Sequence, residues 1–421
     1  MVAFQPVRGT HDLIGTDMRR HAAVADVVRS ISALYGFDEV ITPIFEFTHV
    51  FTRAIGDATD IVSKEMYAFE KSGDHICLRP EGTAGLCRAF VSNRLEQHVP
   101  FRAFYVGPMF RYERPQKGRQ RQFYQAGVEL LGSDSPKADI EVLVLAAHIL
   151  EACGVGDHVT LQLNTLGDTE SRTAYRGALV EYFSRYRADL SEKSQERLQK
   201  NPLRILDSKE RQDQPLIADA PSIDQYLNDE SRTFFDAVRD GLENHGISYT
   251  VNGRLVRGLD YYRHTVFEYV TEALGAQGAV LAGGRYDGLV EAMGGKPTPG
   301  VGWAAGVERL SLLVGHVPSP VRPVAVISIG AEAEQQAALL VRRLRYAGYR
   351  VDSAFSGTVK KRMKRANAVQ ARVALILGED ELAQGVVTIH DLDSGESRQV
   401  SLPDVQEELL RFYAEEALES A

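Results

Sequence analysis

The feature that most constrains the fold is a change of rhythm at residues 316–323, His-Val-Pro-Ser-Pro-Val-Arg-Pro. Three prolines in eight residues suit neither a helix interior nor a sheet centre, so this stretch reads as a linker. Before it, residues 61–132 hold short β-type runs separated by turns: MYAFE, HICLRP, FRAFYVGPMFRYER and RQFYQAGVELLG. Strand following strand favours an antiparallel sheet over regular βαβ units. After it, VAVISIG, EQQAALLVRRLRYAG, YRVDSAF, TVKKRMKRANAV and ARVALILG alternate strand and helix. That order predicts a small α/β domain with some parallel pairing. The expected class is α+β, with an antiparallel-sheet domain over 1–320 and an α/β domain over 321–421. A polar, helical pattern at about 170–235 reads as an insertion in the first domain.

Other elements follow from periodicity and punctuation. Met18, Ala22, Ala25, Val28, Ile31 and Leu34 recur at helical spacing, with Thr16 or Asp17 as the expected cap and Gly36 at a left-handed C-terminal cap. Pro43 interrupts the β-rich FDEVITPIFE, which suggests an edge strand or a strand end. A helix is expected over 137–152 and a strand over 158–165.

Composition excludes several classes. The chain has 421 residues, 44% hydrophobic and 25% charged, which is the profile of a globular protein with a sizeable core. Its net charge of −9 means that any contact with nucleic acid must come from local basic patches. Three cysteines without a CxxC pair argue against a disulfide framework or a thiolate zinc site, and fit a reducing compartment. The 11 histidines lack metal-ligand spacing, so no metal held by protein ligands is expected. No signal core opens the chain, and no run approaches the ~18 apolar residues of a membrane span. The expected location is the cytoplasm, with no membrane contact. GxxxxGK[ST], HExxH and GxSxG are all absent.

Residues 110–125 stand out. In Phe-Arg-Tyr-Glu-Arg-Pro-Gln-Lys-Gly-Arg-Gln-Arg-Gln-Phe-Tyr-Gln, two β-type halves flank a loop with Pro115 and Gly118. Arg111, Arg114, Lys117, Arg119 and Arg121 are opposed only by Glu113. One reading is a solvated hairpin with a basic tip. The other is a polyanion site, with arginine forks for phosphates and Phe123 as a stacking plate. Leu78-Arg-Pro-Glu-Gly-Thr83 sets the carboxylate of Glu81 and the hydroxyl of Thr83 after a strand, which suits an ammonium group or a plain helix cap. Gln125 and Glu129 share strand parity, so both can face one side of a sheet. Arg257-Gly-Leu-Asp-Tyr-Tyr262 joins a cation to paired aromatics. Gly300-Val-Gly-Trp-Ala-Ala-Gly-Val-Glu-Arg309 is read as opening a helix with Arg309 in its first turns.

Together these segments resemble the histidyl-tRNA synthetases, class II aminoacyl-tRNA synthetases of bacterial type, over essentially the whole chain. The N-terminal helix with the Pro43 strand is similar to the first class II motif. FRYERPQKGRQRQFYQ is similar to the second, and GVGWAAGVERL to the third. LVRGLDYYRHTVFEY and LAGGRYDGL are similar to two peptides special to this family. The resemblance implies a class II catalytic domain, a C-terminal anticodon-binding domain, and ligation of L-histidine to tRNA(His) through a histidyl-adenylate. ATP is then a substrate and Mg²⁺ its companion, and the chain forms a homodimer. It further implies residue roles. Arg257, Arg111 and Arg309 serve catalysis. Arg111, Glu113, Arg119, Phe123 and Arg309 hold ATP. Glu81, Thr83, Gln125, Glu129, Tyr261, Tyr262 and Tyr286 receive histidine. Arg114 and Gln116 approach the acceptor end of the tRNA.

The same resemblance ties the C-terminal cations, among them Arg342, Arg343, Lys360, Lys361, Arg362, Lys364, Arg365 and Arg372, to RNA. An alternative is the non-catalytic regulatory subunit of ATP phosphoribosyltransferase. Such a paralogue is expected to have lost motif residues and the C-terminal domain.

Overall fold

The computed structural model describes residues 4–56, 59–257, 261–275, 278–315, 317 and 319–419. The Gly258-Leu259-Asp260 stretch singled out above, and His316 and Pro318 of the expected linker, lie outside the described residues. The chain divides into two compact units, residues 1–318 and 319–421.

In the first unit the strands are, in chain order, β1 (Asp38–Glu39), β2 (Phe45–Phe47), β3 (Ala68–Lys71), β4 (Asp74–Leu78), β5 (Phe101–Phe110), β6 (Gln122–Leu131), β7 (Thr160–Thr165), β8 (Tyr249–Val251), β9 (Arg263–Val270), β10 (Ala279–Arg285) and β11 (Gly300–Gly306). Eight of them form one sheet in the order β1-β5-β6-β11-β10-β9-β7-β8. The pairs from β5 through to β7 are antiparallel, and the two edge pairs, β1 with β5 and β7 with β8, are parallel. Strands β2, β4 and β3 make a separate small sheet. Pro43 therefore does not sit in a strand. It splits FDEVITPIFE into β1 and β2, which join different sheets.

The period of two sorts the sheet into two faces. Ala126, Val128 and Leu130 of β6, with Val301, Trp303 and Ala305 of β11, pack with Val142, Leu145, Phe235 and Val238 from the helices Pro136–Ala152 and Asp229–Asn244. Val24 and Val28 of the helix Thr16–Leu34 join the same core. Local chemistry fixes these helices. Ser135 caps the first, with Pro136 at its first position, and Asn228 caps the second. The opposite face carries small residues at the centre, Gly302, Ala304 and Gly306 of β11 and Ala282 of β10. Small residues keep this face from being filled, and a cleft opens there. The helices of the insertion, Thr169–Arg185 and Glu192–Lys200, belong to the core on this cleft side.

Three local expectations need correction. Neither Thr16 nor Asp17 caps the first helix; Gly15 is the N-cap, and the Thr16 hydroxyl accepts instead from Arg19 at 3.0 Å. Gly300–Gly306 is a strand, and the helix begins only at Val307. A Cβ on Gly300 would meet the Tyr286 ring at 2.5 Å and one on Gly302 the Glu129 carboxylate at 2.0 Å. A ten-residue helix, Thr83–Ser92, stands among the expected β runs.

The second unit has β12 (Val324–Ser328), β13 (Val351–Ser353), β14 (Val373–Leu377), β15 (Val386–Asp391) and β16 (Ser397–Ser401), in the order β13-β12-β14-β15-β16. The first three run parallel, and β15 and β16 add antiparallel hairpin strands. Among the described residues no helix is long and apolar enough to cross a membrane.

Candidate active site

The cleft of the first unit encloses about 370 Å³. It is lined by Glu81, Thr83, Arg111, Glu113, Arg119, Phe123, Gln125, Arg257, Tyr261, Tyr262 and Arg309, residues far apart in sequence. Strand β6 supplies Phe123 and Gln125 on one parity, and the helix beginning at Val307 supplies Arg309 in its first turn. Glu129 and Tyr286 lie one side chain deeper, joined to the cleft through Thr83 and Tyr261. Arg114 and Gln116 do not line the cleft. They are exposed on the loop between β5 and β6, where Gln116 pairs backbone to backbone with Arg119.

One end of the site is an acid–phenol cluster. Glu129 is fully buried; one carboxylate oxygen accepts from the Thr83 hydroxyl at 2.6 Å and the other from the Tyr286 hydroxyl. Burial pushes its carboxyl up to about 8, and the nearby charge of Glu81 adds to this against the two hydroxyls. Glu81 accepts from the backbone N–H groups of Thr83 at 2.9 Å and Ala84 at 2.8 Å. It thus caps the helix Thr83–Ser92 while its carboxylate faces the cleft. Gln125 accepts from the Gly82 N–H at 3.0 Å. Tyr261 lies against Tyr262, centroids 4.5 Å apart, and edge-on to Tyr286 at 5.6 Å. The Tyr261 hydroxyl donates to that of Tyr262 at 3.5 Å.

The other end is cationic. Arg111 donates through Nε to the Pro80 carbonyl at 2.8 Å, and its guanidinium lies 5.3 Å from the Phe123 ring centroid. Arg119 pairs with Glu113 at 3.2 Å. Arg257 is held by Glu268 and lies 5.7 Å from the Tyr262 ring. Two donors in this region are unspent. Arg257 Nε and Arg309 Nη2 are buried without a hydrogen-bond partner among the described residues. A buried, unpartnered guanidinium nitrogen is costly, and an anionic ligand would satisfy it.

The sequence reading missed several wall residues. Glu268 of β9 was legible in principle as a lone charge in the apolar run TVFEYV. Glu308 also lines the cleft, and its carboxylate accepts from the Tyr124 N–H at 2.8 Å. Burial pushes Glu308 up to about 7. Arg204, in the middle of the insertion, reaches Asp60 at 3.5 Å on the cleft wall, and nothing local in its sequence signals this.

The family described as Histidyl-tRNA synthetase matches residues 9–310, and that described as Anticodon binding domain matches residues 323–411. The histidine--tRNA ligase of Rhodospirillum rubrum is 55% identical over 98% of this chain and 100% of its own length. That of Gluconacetobacter diazotrophicus is 54% identical over 96% and 98%. The crystal structure of apo Staphylococcus aureus histidyl-tRNA synthetase superposes with a TM-score of 0.81 at 31% identity, covering 96% of this chain and 99% of that one. A cleft with phosphate-ready arginines at one end and an acid–phenol cluster at the other thus comes with kinship that runs nearly end to end, and the chain belongs to the histidyl-tRNA synthetase family.

Proposed function

We propose that this chain is a histidine--tRNA ligase that joins L-histidine to tRNA(His) in two steps at this cleft. The observation that carries the reading is the pair of unspent buried guanidinium donors, on Arg257 and Arg309, in the same cavity as Glu81 and Tyr262. In the first step a histidine carboxylate oxygen bonds to the α-phosphorus of ATP, and the bond to the bridging oxygen breaks to release pyrophosphate. In the second, the 3′-hydroxyl of the terminal adenosine of tRNA takes the histidyl group and AMP leaves.

Neither step needs a covalent enzyme intermediate, so the residues act by position and charge. Phe123 stacks on the adenine. Arg111 and Arg309 grip phosphates, and Arg257 neutralises charge building at the α-phosphoryl oxygens. Losing one such contact costs on the order of 3 kcal/mol of transition-state stabilisation. Glu81, Thr83 and Gln125 receive the ammonium and carboxylate end of histidine. Glu129 and Tyr262 read the two ring nitrogens, with Tyr261 and Tyr286 in the pocket wall, since a neutral imidazole offers one donor and one acceptor. A site with such paired readers rejects isosteres lacking them by ~10⁴-fold.

Among the described residues no three His, Cys, Asp or Glu converge to hold a metal. Mg²⁺ would come in on the phosphates and be completed by one or two carboxylates. Glu308, a buried acid whose two oxygens share the Tyr124 N–H, would share it. The ion would supply charge neutralisation of the phosphates.

Arg114 and Gln116 meet the acceptor end of the tRNA, and the second unit meets its anticodon. The protein works in the cytoplasm as a homodimer. The exposed apolar side chains Ile41, Ile44, Phe45, Phe47 and Phe69 supply a face for the second copy. The regulatory-subunit alternative has less support, because the catalytic motifs and the anticodon-binding segment are both intact. The test is transfer of labelled histidine from ATP-containing buffer into acid-precipitable bacterial tRNA. Incorporation that needs ATP supports the reading, and its absence in folded protein would falsify it.

A further inference from the structure

We propose that Glu268 is the positioning residue for Arg257 in adenylate formation, holding one prong of its guanidinium fork so that the rest faces the reacting phosphoryl group. The inference rests on the functional reading above and adds a residue that reading did not use.

Glu268 stands on β9 between Phe267 and Tyr269, whose rings pack into the helical core on the far face of the sheet. Its own side chain therefore points into the cleft. Its cross-strand neighbours are Ala282 on one side and Gln162 on the other. Ala282, Ala304 and Gly306 line the cleft with it. Among the described residues, Glu268, Tyr262 and Tyr261 are what act on Arg257. It follows β8 through a turn, and neither a helix nor a strand holds its backbone. Glu268 accepts from Arg257 Nη1, and the Tyr262 ring backs the guanidinium. Arg257 and Glu268 are 17% and 21% exposed, so solvent screens the pair only weakly. Arg257 Nε is buried and has no hydrogen-bond partner among the described residues. A planar fork fixed at one nitrogen has the direction of its others fixed too. The charge of Glu268 also acts on Arg309, so this carboxylate influences two of the cleft cations.

The same charge repels phosphates in the ground state. Its removal should therefore lower the rate of the chemical step without weakening ATP binding, a split that a merely structural residue would not produce. The experiment is steady-state histidine-dependent exchange between pyrophosphate and ATP, with the full chain and with melting temperatures followed alongside. Glu268→Gln is expected to lower kcat by roughly tenfold or more, with KM for ATP unchanged or lower. Combined with Arg257→Ala, it should add less than about twofold to the loss from Arg257→Ala alone, because both act through one group. A kcat within about twofold of the parent, or losses that multiply in the double variant, would overturn the assignment. If Glu268→Gln does not fold, Glu268→Asp decides, since its carboxylate falls one methylene short: lowered kcat with parent-like KM supports the role, and parent-like kcat overturns it. Absence of exchange in the parent chain would instead count against the ligase reading itself.

Discussion

Glu129 is the residue whose environment departs furthest from that of an exposed carboxyl. Burial, with help from Glu81, lifts it from 4.5 to about 8. The folded value lies above the unfolded one, so the protonated form's contribution to stability is fully present below about 4.5 and is lost as pH rises through about 8. Glu308 acts in the same direction between 4.5 and about 7. An amide cannot ionise. Glu129→Gln should therefore raise the melting temperature relative to the parent by at least about 2 °C more at pH 8 than at pH 5. An equal difference at both pH values would show that the carboxyl ionises freely in the fold. The same variant should raise KM for histidine far more than KM for ATP, because Glu129 touches the acid–phenol end of the cleft and not the cationic end. Equal losses would remove it from the histidine site.

At the scale of elements, the cleft exists because β11 and β10 present glycine and alanine where other strands present bulk. A Cβ on Gly302 would stand 2.0 Å from Glu129 Oε2 and 2.3 Å from the Val128 carbonyl. The carbonyl belongs to the neighbouring strand and cannot swing aside. Gly302→Ala is expected to cost roughly 1–3 kcal/mol in chemical denaturation. An unchanged midpoint would mean that β11 can shift away from β6. This element also shows where sequence reading stopped. The hairpin of β5 and β6 was legible from two β-type halves around Pro115 and Gly118. The shared parity of Gln125 and Glu129 was legible too. The Gly300–Gly306 run was read as a helix opening, since glycine carries no periodicity of its own and its strand state depends on β6 and β10 alongside. The helix Thr83–Ser92 was hidden for a related reason. Its cap is the side chain of Glu81, and its apolar residues are buried nearly all round, which leaves no stripe to detect.

At the scale of the whole chain, a body of net charge −9 must concentrate its cations to meet RNA. Sequence alone offered a long list of cations in the second unit, and the fold shortens it. Arg362 pairs with Glu334 at 2.8 Å, Arg365 with Asp352 at 2.7 Å and Arg372 with Asp391 at 2.6 Å. Those partners lie 13 to 28 residues away and on other elements, beyond the reach of local pattern. Lys360, Lys361 and Lys364 are exposed on the helix Val359–Ala368 and pair with no acid among the described residues. Neutralising all three should raise KM for tRNA and reduce the salt slope of tRNA binding by roughly 2, while leaving pyrophosphate exchange intact. An unchanged slope would leave these lysines as a solvated face.

In the proposed reaction, fixed guanidinium groups let two anions, a carboxylate and a nucleotide, react in one pocket. The most direct test is histidine-dependent pyrophosphate exchange by the parent chain and by Arg257→Ala at saturating substrates. Robust exchange is expected in the parent, with a loss of roughly a hundredfold or more in the variant at matched melting temperature. A variant that exchanges at the parent rate would contradict it.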